Sequence, residues 1–201
     1  MDQLDQLLDA ARPLLSRVDE VLSTVGAPGG HDVWAELRRV RLLPGDAARA
    51  VAALRPAVIL ETVPELRAAT RVYASLADAL PGPGAWSGAA AEAYEQARCR
   101  AAEHLNAGAG SLGQRMEATA DLADDLAGWM LRARDDLADV IADVSRTTEA
   151  MILTGGPHPP GDTATAAAAI GAVLLRTVAD SYDRAEDLLN SSAGLQSPLT
   201  A

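Results

Sequence analysis

The 201 residues carry a net charge of −11, and their number suits one extended domain or one domain with an appended segment. Such acidity argues against nucleic acid or an anionic bilayer surface as a partner, because either would repel the chain at neutral pH. Alanine and leucine dominate, phenylalanine is absent, aromatic residues make up 3%, and Val and Ile gather into no alternating runs, so the composition favours helices and leaves a sheet little material.

The opening Met1-Asp2-Gln3-Leu4-Asp5 is acidic and amphipathic, unlike the basic and apolar regions of a secretory signal. From Leu4 the apolar positions step through Leu8, Ala11, Leu15, Val18, Leu22 and Val25, one face of a helix that Pro13 should kink or restart. Gly26 to Gly30 ends it. A short helix is predicted from Asp32, as N-cap, to Leu43, with Trp34, Leu37 and Val40 or Arg41 on one side. Pro44-Gly45-Asp46 reads as a turn. Helical pattern then resumes at Asp46 and continues, with breaks allowed at Pro56 and Pro64, to Leu80, where Pro81-Gly82-Pro83-Gly84 stops it.

The longest helical candidate opens at Trp86 and lasts to Gly155-Gly156-Pro157. Within it Leu112, Met116, Thr119, Ala123, Leu126, Met130, Ala133, Leu137, Val140, Val144, Thr147 and Met151 keep a three-four spacing, a seam that needs helical neighbours. Gly108, Gly110 and Gly113 mark a place where it can bend or break. After the linker from Gly155 to Gly161, a last helix capped by Asp162 or Thr163 runs to Asn190, and a mobile tail follows. The longest apolar stretch, Ala164 to Leu175 broken by Thr165 and Gly171, is shorter than the ~20 residues that cross a bilayer.

The segments are thus an N-terminal helical extension (1–45), two helical rods joined at the Pro-Gly turn (46–154), a linker (155–161), a C-terminal helix (162–190) and a tail (191–201). The predicted fold class is all-α: an elongated antiparallel helical hairpin or bundle with a long central helix.

Few residues suggest chemistry. Gly108-Ala109-Gly110-Ser111-Leu112-Gly113 matches G-x-G-x-x-G, but that fingerprint needs a preceding strand, and Ala101 to Asn106 is helical in pattern. Asp121, Asp124, Asp125, Asp135, Asp136, Asp139 and Asp143 have no histidine within helical reach and read as a solvated face, offset in part by Arg132 and Arg134. His31, His104 and His158 stand far apart, without a nucleophile at a fitting spacing. Cys99 sits among Arg98, Arg100 and Glu103, which could lower its pKa, although a structural thiol is the simpler reading. As the single cysteine, it can form no internal disulfide and no multi-thiolate zinc site. No catalytic residue, cofactor or metal is expected.

Trp86-Ser87-Gly88 lies where the two long helical patterns meet at the Pro-Gly turn. There an indole can cover the open end of the pair and a glycine can let the backbone come close. With the alanine-rich start Ala89 to Tyr94, this arrangement resembles the WXG family, the small helical-hairpin proteins handled by type VII (ESX) secretion systems and common in actinobacteria. Substrates or partners in that family also carry Tyr-x-x-x-Asp/Glu, read as an export signal, near the end of a helix before a C-terminal tail. Tyr182-Asp183-Arg184-Ala185-Glu186 matches it, and i,i+4 spacing puts the phenol and the carboxylate on one face. The similarity covers roughly 46–154 and the Tyr182 motif, not residues 1–45. In the family the two motifs lie close together across a dimer. Here a straight long helix would put Tyr182 ~70 Å from Trp86 of the same chain.

The resemblance implies a non-enzymatic helical protein that is exported without a cleavable signal peptide, as a substrate or as the partner or chaperone of a larger effector. Trp86, Gly88, Tyr182 and Glu186 would be its recognition residues. Its partners would be the secretion machinery and a protein, a like copy or a different chain, joined along the long helix seam, with no small-molecule substrate. A cytoplasmic coiled-coil scaffold or adaptor is the alternative that the same heptads would serve.

Overall fold

A computed structural model describes residues 2–108 and 110–192. Nine α-helices and one π-helical turn make up the regular structure of the described residues. The fold is all-α and includes a long helix, Leu112–Val144. The chain forms two compact units.

The first unit comprises 1–55 and 128–187. It holds α1 (Gln3–Thr24), α2 (Val33–Val40), α3 (Pro44–Ala52), the later part of α7 (Leu112–Val144), α8 (Thr148–Thr154) and most of α9 (Pro160–Ser191). The N-terminal residues therefore pack with the end of α7 and with α9, across the segments drawn along the sequence. In α1 the expected stripe buries Leu4, Ala11, Leu15, Val18 and Leu22, joined by Leu14 and Val21, while Val25 is exposed. Asp2 caps the helix and exchanges bonds with Asp5 in a capping box. Pro13 neither breaks nor restarts α1; its ring borders a cleft with Ala150, Met151 and Thr154 of α8.

The short helices begin differently from the expectation. Asp32 precedes α2 but makes no capping bond; the Val33 N–H donates instead to His31 Nδ1 at 3.1 Å. The helix ends at Val40, and Arg41 adopts a left-handed conformation, φ 61°. Val33, rather than Trp34, is its buried anchor. Pro44-Gly45-Asp46 is the first turn of α3, with Pro44 at a position whose N–H would be unused anyway. No side chain next to α3 in sequence caps it; Asp19 of α1 accepts the Gly45 N–H at 2.9 Å.

α9 runs through the middle of this unit, burying Ile170, Leu174, Leu175 and Val178 among alanines. At Gly171 a Cβ would come within 3.0 to 3.4 Å of Leu22, Pro44 and Val33, so glycine lets α1, α2 and the start of α3 close on α9 together. Its mean hydropathy of 1.3 over an 18-residue window is high enough, with its length, to cross a membrane, and 61% of that window is buried inside the protein. The uninterrupted stretch considered in the sequence understated the helix, because isolated Thr and Gly residues do not end it.

The second unit comprises 56–127 and 188–201, described as far as Ser192. α4 (Pro56–Leu60) and α5 (Val63–Asp78) begin at or beside the two prolines allowed as breaks. α6 (Ala89–Ala102) starts three residues later than expected and passes into a π turn, Glu103–Ala107. The long helical candidate is therefore broken around Gly108 to Ser111, the bend that the glycines allowed, and again between Val144 and Thr148, where Thr147 caps α8. α5 and α6 pack on each other and on the π turn. Arg67 of α5 pairs with Glu117, Asp121 and Asp124 of α7 at 3.8, 3.4 and 2.6 Å.

Along α7 the buried residues include Ala120, Ala127, Trp129, Ala133, Arg134, Leu137, Ala138, Ile141 and Val144. The expected seam shares Ala133, Leu137 and Val144 with them, but Thr119 and Met151 are exposed. A strict heptad drifts ~20° per repeat on a straight helix, and alanines flanking the Leu/Met positions let the buried arc move onto them. The tail from 193 to 201 lies outside the described residues.

Candidate functional site

In the second unit, Trp86 sits on the turn between α5 and α6, and the turn has internal structure. The Trp86 N–H donates to the Pro83 carbonyl at 3.3 Å. The Tyr94 hydroxyl reaches back from α6 to the Pro81 carbonyl at 2.8 Å. Trp86 and Tyr94 meet edge to face with ring centroids 5.7 Å apart, a favourable arrangement of ring quadrupoles. The indole nevertheless remains 67% exposed, so it does not cover the end of the helix pair.

Gly88 is the N-cap of α6, with φ 83° and ψ −169°, a combination open essentially to glycine alone. Nothing lies within 4 Å of where its Cβ would be. Glycine is needed here for its backbone angles, and the close backbone approach expected from the sequence does not occur.

Tyr182 and Glu186 stand one turn apart on α9 and both face solvent; Tyr182 is 43% exposed and Asp183 and Arg184 beside it are also exposed. One edge of the Tyr182 ring is held by Trp129, centroids 5.6 Å apart. Trp129 is buried, and its Nε1–H donates to the Ser181 carbonyl at 2.7 Å, which locks the indole beneath the tyrosine. The opposite side of the motif is braced by Arg39 of α2, which donates to Asp180 at 2.9 Å and to Asp183. Those two carboxylates push the Arg39 pKa up. Arg184 turns away to Asp136 at 2.9 Å. Tyr182 also borders a notch of about 270 Å³ with Val40, Leu42, Ala50 and Val178.

Trp86 belongs to the second unit, whereas Tyr182 and Glu186 belong to the first. The straight rod behind the expected separation of the two motifs is interrupted.

Trp129 carries no motif and went unnoticed in the sequence; its only signal was a large aromatic inside an otherwise small-residue helix. Arg134, expected from the sequence on a solvated face, is buried. Its guanidinium donates to Asp2 at 2.9 and 2.6 Å, to Asp5 at 3.2 Å, and to the carbonyls of Val51, Ala52 and Leu54 just beyond or within the end of α3. The Asp2 pKa is shifted by burial, which raises it, and by the Asp5 N–H and Arg134, which together outweigh burial and leave it lowered.

The acidic run is largely committed to pairing: Asp121 and Asp124 to Arg67, Asp136 to Arg184, Asp143 to Arg146. Among the described residues no group of three His, Cys, Asp or Glu side chains is placed to hold a metal. Cys99 is exposed and its thiol lies 3.7 Å from Glu95, the carboxylate that also takes Arg98. Set against protein-family models, curated proteins and solved structures, the chain matches none.

Proposed function

We propose that this chain is a non-enzymatic helical protein of a type VII (ESX) secretion system, exported as a substrate or together with a larger effector as its partner or chaperone. In this reading α5 and α6 are the arms of a WXG-like hairpin, Trp86 and Gly88 form its turn, and Tyr182 and Glu186 are the export signal. The observation that carries it is the exposed indole. A tryptophan kept only to close a helix end would be buried, whereas this one is held by Tyr94 and left open to solvent, as a residue read by another protein must be. The phenol and carboxylate on α9 are likewise open, and Trp129 limits the freedom of the Tyr182 ring, so a receptor would lose little entropy in ordering that ring.

Trp86→Ala and Glu186→Ala test the proposal, since both side chains are mostly exposed and neither belongs to the core. In the cell that encodes this chain, both variants should remain folded and accumulate inside instead of in the culture filtrate. Undiminished export of both would overturn the assignment, and strict retention of the unaltered protein would favour a cytoplasmic scaffold.

A further inference from the structure

The end of α2 concentrates charge of the sign opposite to that of the whole chain. Residues 33–52 hold four arginines, Arg38, Arg39, Arg41 and Arg49, and two acids, Glu36 and Asp46, in a chain whose net charge is −11. Both acids are already paired: Glu36 with Arg39 and with Arg176 of α9, at 3.4 and 3.3 Å, and Asp46 with Arg49. Arg39 is held by Asp180 and Asp183 as well. Arg38 and Arg41 are exposed, and among the described residues neither makes a hydrogen bond or an ion pair. A base in the last turn of a helix offsets the partial negative charge of its carbonyl end, which Arg38 and Arg39 already supply. Arg41 needs another reason. It closes α2 with φ 61° and is the one non-glycine residue of positive φ among the described residues. Glycine takes such a position without steric cost, so the sequence keeps a guanidinium where the backbone favours its removal, a local strain of the kind found at binding sites.

The notch of about 270 Å³ lies beside these arginines. Val40 and Leu42, the neighbours of Arg41 on either side, line it together with Ala50, Val178 and Tyr182, and Arg38 precedes Arg41 by one helical turn. Leu42 is 43% exposed. Aliphatic walls next to two free guanidiniums fit a ligand with an apolar tip and carboxylates beside it. Guanidinium grips carboxylate in a planar fork, and an apolar anchor in a pocket with charges at the rim is how the strongest points of protein interfaces are built. The α9 wall carries Asp183, and the exposed Glu186 follows one turn beyond Tyr182, so the ligand's carboxylates belong on the α2 side. A polyphosphate strand has no apolar tip for the notch and would be repelled by the charge of the rest of the chain.

We propose that the notch and the two free arginines at the end of α2 form a docking site for an acidic segment of a partner protein, which seats one apolar side chain in the notch and sets Asp or Glu carboxylates on Arg38 and Arg41. The site lies wholly within the first unit and does not rest on the secretion reading. Its ion pairs form at exposed side chains, so the association weakens as salt is raised.

Selection of a randomised peptide library, displayed on phage, against the full chain tests the site without a known partner. Enriched peptides should carry two or more Asp or Glu beside a Leu, Ile or Phe. One of them, resynthesised with a fluorescent label and followed by anisotropy, should bind the unaltered chain and lose affinity with added salt. Arg38→Ala and Arg41→Ala should each weaken binding about 1.5- to 5-fold, the range of one exposed ion pair. Arg38→Glu combined with Arg41→Glu replaces two attractions by two repulsions and should weaken it about tenfold or more. Ala50→Leu, which fills the notch, should do the same while circular dichroism shows the fold intact, and Leu42→Ala, outside any helix, removes part of the wall and should weaken binding severalfold. Absence of enrichment, enriched peptides without acidic residues, affinity indifferent to the joint arginine exchange or to both notch variants, or equal binding of an oligothymidylate would each overturn the proposal.

Discussion

Replacing Arg134 by alanine removes the side chain that joins α7 to the start of α1 and the end of α3. The guanidinium is 6% exposed and makes two kinds of bond, which respond differently to its loss. The Asp2 and Asp5 carboxylates are partly exposed and can return to water, so their share is ~0.2–1 kcal/mol each. The Ala52 and Leu54 carbonyls are half-buried, and an acceptor left without a partner costs ~1–3 kcal/mol. Together these give ~2–4 kcal/mol for Arg134→Ala. Arg134→Met loses the same bonds while keeping most of the packing of the stem, so it should also cost ~2–4 kcal/mol and no more than Arg134→Ala. Urea unfolding followed by far-ultraviolet circular dichroism measures both. The Asp2 partner adds a pH arm. Its pKa is lowered in the folded chain, so its contribution is present above the ordinary aspartate value of 3.8 and fades as pH falls through the folded value. The stability gap between the unaltered chain and Asp2→Asn should therefore close on acidification below about pH 4. A loss under ~1 kcal/mol for Arg134→Ala, or no loss for Arg134→Met, would show that water replaces the guanidinium freely and would refute the argument.

Three further outcomes follow from the same geometry. Among the described residues the buried Ser181 hydroxyl has no hydrogen-bond partner, so Ser181→Ala should be neutral or stabilise by up to ~1 kcal/mol, read from the same urea curves. Asp19, whose pKa is raised chiefly by burial despite the Gly45 N–H, binds a proton more readily folded than unfolded. Its ionised form therefore costs stability above the folded pKa, and any advantage of Asp19→Asn at pH 7 should disappear as pH falls through that value toward the unfolded one. Gly88→Ala should cost ~1–3 kcal/mol, because alanine is forced into a glycine-only region; a thermal midpoint equal to that of the unaltered chain would mean that the turn can relax.

Much of the helical content was open to sequence reasoning because it depends on local physics. Apolar spacing in α1, the punctuation at Gly26, Pro81 and Gly155, and prolines at the first or second position of α3, α4, α5 and α9 act through neighbouring residues alone. The break between α7 and α8 had a legible sign in the hydroxyls of Ser145, Thr147 and Thr148, of which Thr147 competes for backbone donors. That Tyr182 and Glu186 share one face of the last helix also follows from helical spacing.

What surrounds each helix was decided elsewhere. Alanine is compatible with a buried or an exposed face, so an alanine-rich helix such as α7 does not specify which stripe goes inward, and its neighbours chose Ala120, Ala127, Arg134 and Ile141. Arg134 looked like one more surface charge until Asp2 and the end of α3, more than 80 residues away in sequence, came to meet it. Trp129 and Arg39 became the supports of Tyr182 in the same way. Composition and periodicity determine that this chain is helical and where most helices end; only long-range packing, which no local window contains, determines which charges are buried and which aromatic rings are left facing water.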